Sequence, residues 1–195
     1  MMARPSVLQG YIYSRVEPDK DLVIGFKEGG PYSPKDKSSL KVGIAWSGNP
    51  YNEANDDRKI PFEFLVELAE NPRITLYSLQ VGEASEDIVR NRAQQICVDV
   101  GNAMAEKQFI GTAMTLLHLD LVVTTCTSLA HLAGAMGIPT WLFVSTNPYW
   151  IWGHEGETTC WYSSVKLYRQ PSPGDWVTPL EKVKNDLRQF SRIGE

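Results

Sequence analysis

Three polar residues stand at the start of a predicted helix in the second half of the chain. A run of the type that forms buried strands, 121–125, ends in two threonines, and a helical pattern then begins at Thr127 or Ser128. A helix N-terminus favours an anion because its backbone N–H groups are free and its dipole is positive there. The hydroxyls of Thr127 and Ser128 add donors, and His131 lies one turn further along the same helix face. The spacing indicates a phosphate site; the alternative is plain N-capping by Thr127 and a core position for His131.

A second polar segment follows the first predicted strand, 42–46. It contains Gly48, Asn49 and Arg58, and it ends where Pro61 starts a helix. Glycine allows a ligand to approach the backbone closely, and a guanidinium offers a diphosphate a planar fork of donors. The alternative is a solvated surface loop, because three carboxylates lie between Asn49 and Arg58.

Strands and helices alternate along the chain from residue 41 onward. The predicted strands are 42–46, 74–79, 96–100, 121–125, 140–144 and 165–168. The predicted helices are 61–70, 83–94, 110–117, 128–136 and 176–190. Such alternation predicts an α/β fold, a Rossmann-like parallel sheet sandwich, over residues 41–195, after an irregular arm at 1–40. Ligands of such sheets bind beyond the carboxyl ends of the strands, where both polar segments lie.

Composition narrows the classes of function. The 195 residues are 43% hydrophobic and 22% charged, as in globular domains, and the net charge of −4 gives no reason to expect a nucleic-acid partner. The three cysteines form no CxxC pair, which is typical of a reducing compartment. The N-terminus lacks a signal-peptide pattern, and the apolar runs are too short for a membrane span. We therefore expect a cytoplasmic protein.

Three separated motifs resemble one family of enzymes. The resemblance is strongest in LDLVVTTCTSLAHLAGAMGIPTWLFV, which is similar to the D-T-x-x-A-H-L-A-G-A-x-G-x-P motif of heptosyltransferase-like glycosyltransferases, including domains fused to tetratricopeptide repeats. The start of their C-terminal domain resembles VGIAWSGNP, DDRKIPFEFLVEL and YSLQ, and its end resembles WYSSVKLYRQPSPGDW. The resemblance covers roughly 41–190. It implies one half of a GT-B fold, in which two Rossmann-like domains face a cleft and the C-terminal one binds the nucleotide-sugar donor.

The family resemblance implies roles for individual residues. The three polar residues at the start of the 128–136 helix would lie at the donor's diphosphate, and Gln80 would lie near its nucleoside. Transfer in this family is metal-independent, with the donor as substrate and no cofactor; residues 41–195 accordingly contain no DxD motif, and the sequence has no His or Cys pair with metal-ligand spacing. The predicted donor-binding residues are Gly48, Asn49, Arg58, Gln80, Thr127, Ser128, His131 and Asn147.

Two departures from the family keep the function open. Cys126 replaces the usual acidic residue, so a carboxylate role is not transferred to it, and we expect the thiol to pack. The acceptor-binding domain that normally supplies the catalytic base is not in this chain, so the catalytic residues and the acceptor are unknown. A partner domain or self-association would complete the cleft. The chain is then either a glycosyltransferase domain or a non-catalytic nucleotide-sugar-binding or accessory module.

The loop at 145–164 is rich in aromatic residues. These residues either stack on a base or sugar, or attach the loop to the core; we expect the structural role for most of them. Asn147, Pro148 and Trp150 are expected on the ligand side. Further on, Asp175 is expected to cap the last helix and Trp176 to anchor it. The aromatic residues of the loop are Tyr149, Trp150, Trp152, Trp161 and Tyr162.

Overall fold

In the computed structural model, which describes Phe26, 30–34, 39–106 and 108–190, six strands form one parallel sheet. The strands are β1 (Leu40–Ala45), β2 (Ile74–Ser78), β3 (Cys97–Asp99), β4 (Leu121–Thr125), β5 (Thr140–Val144) and β6 (Val165–Arg169). All six predicted strands are confirmed, and the α/β fold with them. The predicted arm at 1–40 lies mostly outside the described residues.

The order of the strands creates a crevice in the middle of the sheet. They run β3–β2–β1–β4–β5–β6, and every neighbouring pair is parallel. The chain therefore winds outward from β1 in one direction, then returns to β4 and winds in the other. Between β1 and β4 the connections leave toward opposite sides, which is where ligands bind in open α/β sheets.

Seven α-helices and three short 3₁₀ segments cover the sheet in the described part of the chain. The α-helices are α1 (Asn55–Arg58), α2 (Phe62–Val66), α3 (Asp87–Arg90), α4 (Gly101–Ala105), α5 (Gln108–Leu116), α6 (Ser128–Met136) and α7 (Val177–Phe190). The 3₁₀ segments are Glu67–Glu70, Glu83–Glu86 and Trp150–Trp152. Within the described residues no helix combines the length and apolar character that a membrane span requires.

Both faces of the sheet are buried by helices. One hydrophobic cluster joins residues of α2 and α7 to one face, and a second joins residues of α4, α5 and α6 to the other. Every residue of β4 and of β5 is buried as a result, which explains their continuous apolar and β-branched sequences.

Helix ends explain where the predictions succeed and fail. Helix α6 begins and ends where predicted, and Gly137 closes it in the left-handed conformation (φ 75°). The predicted helix at 83–94 is wrong in its second half: α3 ends at Arg90, and Arg92 has a positive φ of 53°, which a continuing α-helix does not permit. Asp175 caps α7 as expected, since its carboxylate accepts the Thr178 N–H at 3.0 Å. Trp176, the expected anchor, is buried.

Candidate binding cleft

A cleft of about 1320 Å³ lies at the carboxyl ends of β1, β2, β4 and β5. It is centred on the crevice where the winding direction of the sheet reverses. The structure brings all eight predicted donor-binding residues to its wall, although they come from four separate segments of the sequence. These residues are Gly48, Asn49, Arg58, Gln80, Thr127, Ser128, His131 and Asn147.

The charge on the cleft wall is opposite in sign to the net charge of the protein. Among the described residues that line it, none is Asp or Glu, and Arg58 is the only Lys or Arg. The whole chain nevertheless carries a net charge of −4. The wall is therefore suited to an anion.

Thr127 occupies the N-cap position of α6 without capping the helix through its side chain. Its backbone is extended (φ −138°, ψ 172°), and no hydrogen bond joins its hydroxyl to the first turn. The hydroxyl oxygen is buried and has no hydrogen-bond partner among the described residues. The N-capping alternative therefore does not account for this hydroxyl. Thr127 lines the cleft together with Ser128, the first residue of α6.

Arg58 is the last residue of α1 and reaches the same wall. Its Nε atom is buried and has no hydrogen-bond partner in the described part of the chain. The Thr125 hydroxyl donates to the Arg58 carbonyl, which ties α1 to the end of β4, two residues before Thr127. The nearby Asp56 pairs with Lys59 at 2.8 Å and leaves Arg58 to the cleft. The surface-loop alternative assumes that neighbouring carboxylates neutralise the charge of Arg58. Asp56 does not do so, because it pairs with Lys59.

Gly48 makes room for the protein's own side chains. Its N–H donates to the Asn55 side-chain oxygen at 2.8 Å. A Cβ at Gly48 would lie 3.0 Å from that oxygen and 3.1 Å from Arg58 Nη2. These contacts give a structural reason for a glycine at this position, whereas the close approach of a ligand to its backbone stays a prediction. Asn49 forms an exposed turn on the rim, where its side-chain oxygen accepts the Tyr51 N–H at 3.0 Å.

Gln80 reaches the cleft wall, but its amide is fully used within the protein. Its Oε1 accepts the N–H groups of Trp46 at 3.0 Å and Ser47 at 2.9 Å. Its Nε2 donates to the carbonyls of Ser47 and Val81, both at 3.1 Å. Both acceptor positions and both donors are thereby occupied, so Gln80 fixes the loop after β1, a role that its sequence position does not reveal.

His131 is held on two sides by aromatic residues of the 145–164 loop. Its Nδ1 lies 3.1 Å from the Tyr162 hydroxyl, and its ring stacks on Trp152 with centroids 4.9 Å apart. Burial lowers the pKa of His131 below 6.5, so the ring is neutral near pH 7. The hydrogen-bond partner of the ring is thus a tyrosine hydroxyl.

Gly134 and Cys126 complete this aromatic contact. A Cβ at Gly134 would lie 2.7 Å from Tyr162 Cγ, so this glycine makes room for the tyrosine ring. The Trp152 indole N–H donates to Cys126 Sγ at 3.0 Å, and the cysteine also lines the cleft. The thiol therefore packs in the wall, as expected.

Arg169, which the sequence analysis did not single out, fixes the loop that carries Trp152. Its guanidinium donates to four backbone carbonyls, those of Trp152 (2.6 Å), Gly153 (2.9 Å), Glu155 (3.0 Å) and Gly156 (2.7 Å). An arginine that directly follows a predicted strand gives no signal of such a role, because its contacts depend on the path of the loop.

The aromatic residues of the loop divide into two groups. Trp152 is 2% exposed and is structural, as expected, whereas Tyr149, Trp150 and Trp161 are 52%, 65% and 54% exposed. The structural expectation is therefore wrong for Tyr149 and Trp161. Asn147 and Pro148 line the cleft as expected, together with Tyr149, whereas Trp150, which was also expected on the ligand side, is not among the residues that line it.

A metal was not expected from the sequence. Across the described residues, no group of three or more His, Cys, Asp or Glu side chains lies close enough together to hold an ion.

Comparison with known proteins gives one related sequence and several related structures. No family model matches the chain. The protein FlbA of Caulobacter vibrioides is 23% identical over 154 residues, which are 77% of this chain and 25% of FlbA.

The structural neighbours are glycosyltransferases. E. coli ADP-heptose LPS heptosyltransferase II aligns with a TM-score of 0.52 at 16% identity, over 88% of this chain and 52% of the enzyme. E. coli heptosyltransferase WaaC, solved with ADP-2-deoxy-2-fluoro heptose, aligns with a TM-score of 0.55 at 19% identity, over 80% and 45%. A glycosyl transferase family 9 protein of Veillonella parvula aligns with a TM-score of 0.55 at 10% identity, over 89% and 49%. The chain spans about half the length of these enzymes, and it has the Rossmann-like α/β fold of heptosyltransferase structures.

Proposed function

We propose that this chain binds a nucleotide-diphosphate sugar in the cleft, with the diphosphate at the start of α6, for metal-independent glycosyl transfer. The observation that carries the proposal is a pair of buried polar atoms on one wall, Arg58 Nε and Thr127 Oγ1, that have no partner among the described residues. Leaving such an atom unsatisfied costs about 1–3 kcal/mol. Phosphate oxygens would accept from both.

The rest of the wall supports an anionic ligand. The first turn of α6 supplies free N–H groups and the positive end of the helix dipole. If His131 Nδ1 accepts from the Tyr162 hydroxyl, the proton of the neutral ring lies on Nε2, which then donates to the same anion. WaaC, one of the structural neighbours, was solved with a nucleoside-diphosphate sugar analogue.

The same groups suit the chemistry of transfer. When an acceptor oxygen attacks the anomeric carbon, the bond to the diphosphate breaks and negative charge grows on the leaving oxygen. Arg58 and the helix N-terminus stabilise that charge without a metal. The proton of the acceptor hydroxyl goes to a general base.

The base is the part that the described cleft lacks, and this favours a second candidate function. None of its described lining residues is a carboxylate, and the one histidine, His131, is engaged with the donor in this proposal. The chain would then be a nucleotide-sugar-binding module, with acceptor and base supplied by a partner domain or a second copy.

Calorimetric titration with ADP-, UDP- and GDP-sugars tests donor binding. The wild-type chain is expected to bind one of these classes, and T127A/H131A to bind it at least about tenfold more weakly, since each hydrogen bond to a charged group contributes about 1.5–3 kcal/mol. The control H154A/T158A removes the same side-chain types from exposed positions and should bind like wild type. Equal affinity in wild type and T127A/H131A would refute the site.

An assay of donor turnover separates the two functions. Hydrolysis or transfer by the purified chain supports the glycosyltransferase. Binding without turnover, with activity restored by a partner, supports the module.

A further inference from the structure

Three exposed aromatic rings form a continuous surface that leads out of the cleft. We call Tyr149, Trp150 and Trp161 the aromatic platform. The ring centroids of Tyr149 and Trp150 lie 5.7 Å apart, and those of Trp150 and Trp161 lie 5.9 Å apart with planes at 83°. Tyr149 belongs both to the platform and to the cleft wall.

The platform is held in place by buried contacts. Trp150 and Trp152 lie in one 3₁₀ turn, where residues two apart point in different directions. Trp152 turns inward to bond Cys126, so Trp150 turns outward. Arg169 fixes the carbonyls just after this turn. The rings are thus preorganised, which lowers the entropic cost of binding a ligand.

The size of the platform favours a small ligand over a folded protein. Aromatic residues bury about 150–250 Å² each, so rings that are half to two-thirds exposed offer roughly 350 Å² in total. A stable protein interface needs about 800 Å² on each partner. One or two sugar rings, by contrast, fit such an area.

We propose that the aromatic platform binds a saccharide, the sugar unit of the acceptor. The platform residues carry no formal charge, and their flat faces match the C–H face of a pyranose while its hydroxyls remain in water. Continuity through Tyr149 sets the bound sugar at the mouth of the cleft. Assigning this sugar to the acceptor rests on the proposed function, whereas saccharide binding itself does not require the donor site.

The test follows the indole N–H signals of the ¹⁵N-labelled chain during titration with three neutral trisaccharides, maltotriose, cellotriose and chitotriose. The chain has six tryptophans. Trp150 and Trp161 are expected to shift saturably with at least one trisaccharide, while the four buried indoles, at Trp46, Trp141, Trp152 and Trp176, serve as internal controls. Calorimetry measures the variants, because they lack the two reporting indoles: W150A/W161A should weaken trisaccharide binding about tenfold or more, the loss expected when stacking contributes about 1.4 kcal/mol. W150F/W161F keeps flat aromatic rings and should retain most of the trisaccharide affinity.

The outcomes distinguish this proposal from the proposed function. W150A/W161A should keep its nucleoside-diphosphate affinity, and T127A/H131A should keep its trisaccharide affinity. The proposal is overturned if no trisaccharide shifts Trp150 and Trp161. It is also overturned if ADP, UDP or GDP shifts them, because the rings then bind the donor's base. Shifts that depend on protein concentration alone would instead make the platform an interface between copies.

Discussion

At the scale of single residues, the cleft contains some residues whose polar atoms are paired within the protein and others whose buried polar atoms are not. Gln80 and Gly48 form their hydrogen bonds with other residues of the protein, Trp46 and Asn55 among them. Arg58 and Thr127 keep buried polar atoms without a partner in the described structure. Ligand affinity should therefore depend directly on Arg58 and Thr127. It should depend on Gln80 and Gly48 only through the conformation of the loop that they hold.

Arg58 provides the sharpest test at this scale. R58K keeps a positive charge but loses Nε and the planar fork, so nucleotide-sugar affinity should fall about tenfold; R58Q, which also loses the charge, should fall further. The matched control is K59Q, because Lys59 is adjacent and pairs with Asp56 outside the cleft. Calorimetry measures all three, and an R58K affinity equal to that of wild type would contradict the fork.

At the scale of elements, prediction from sequence succeeded where burial alone decides. Strands β4 and β5 are buried at every position, and their apolar runs reveal it. Helices α1 and α4 have four and five residues, too few to show a helical period, and they were missed. Tertiary contacts support both helices: Asn55 bonds the Gly48 N–H, and Gly101 abuts the carbonyl of Gln80.

Prediction of the site from sequence is limited in the same way, because some roles depend on tertiary contacts. Residues that follow strand ends were predicted correctly to line one cleft, because parallel strands bring those ends together. The roles of Gln80 and Arg169 depend on partners far away or on loop geometry, which sequence spacing does not report.

The start of α4 offers a test of this tertiary dependence. A Cβ at Gly101 would lie 2.1 Å from the Gln80 carbonyl oxygen, and backbone cannot rotate away as a side chain can. G101A should therefore lower the free energy of unfolding by about 1–3 kcal/mol in urea titrations. N102A, at an exposed position of the same helix, should change it by less than about 0.5 kcal/mol. Similar values for the two variants would show that the helix shifts freely.

At the scale of the whole molecule, two half-buried histidines are expected to make stability depend on pH. Burial lowers the pKa of both His131 and His118 below 6.5, and Lys41 lowers that of His118 further. His118 stacks on Phe26, with centroids 4.7 Å apart, and His131 contacts Trp152 and Tyr162.

The direction of this pH dependence follows from whether the folded or the unfolded state binds protons at the higher pH. Above pH 6.5 both states keep the rings neutral, and the stability is fully present. As the pH falls below 6.5, the unfolded chain binds protons that the folded chain resists, so the free energy of unfolding should fall. Urea titrations from about pH 7.5 to about pH 5.5 should show this decline, and H118Q/H131Q should flatten it. An unchanged slope in the double variant would assign the decline to other groups.

The Arg169 guanidinium has a consequence for how the protein opens. Four successive or nearly successive carbonyls depend on one side chain, and the 152–156 segment has little regular structure to replace it. If the Arg169 side chain moves away, all four hydrogen bonds would be lost together, whereas the hydrogen bonds between the strands of the sheet would remain. We therefore expect the segment to detach as a cooperative unit at a lower free energy than global unfolding requires. Because the segment begins at Trp152 and adjoins the aromatic platform, its detachment would leave the mouth of the cleft disorganised in a fraction of otherwise folded molecules.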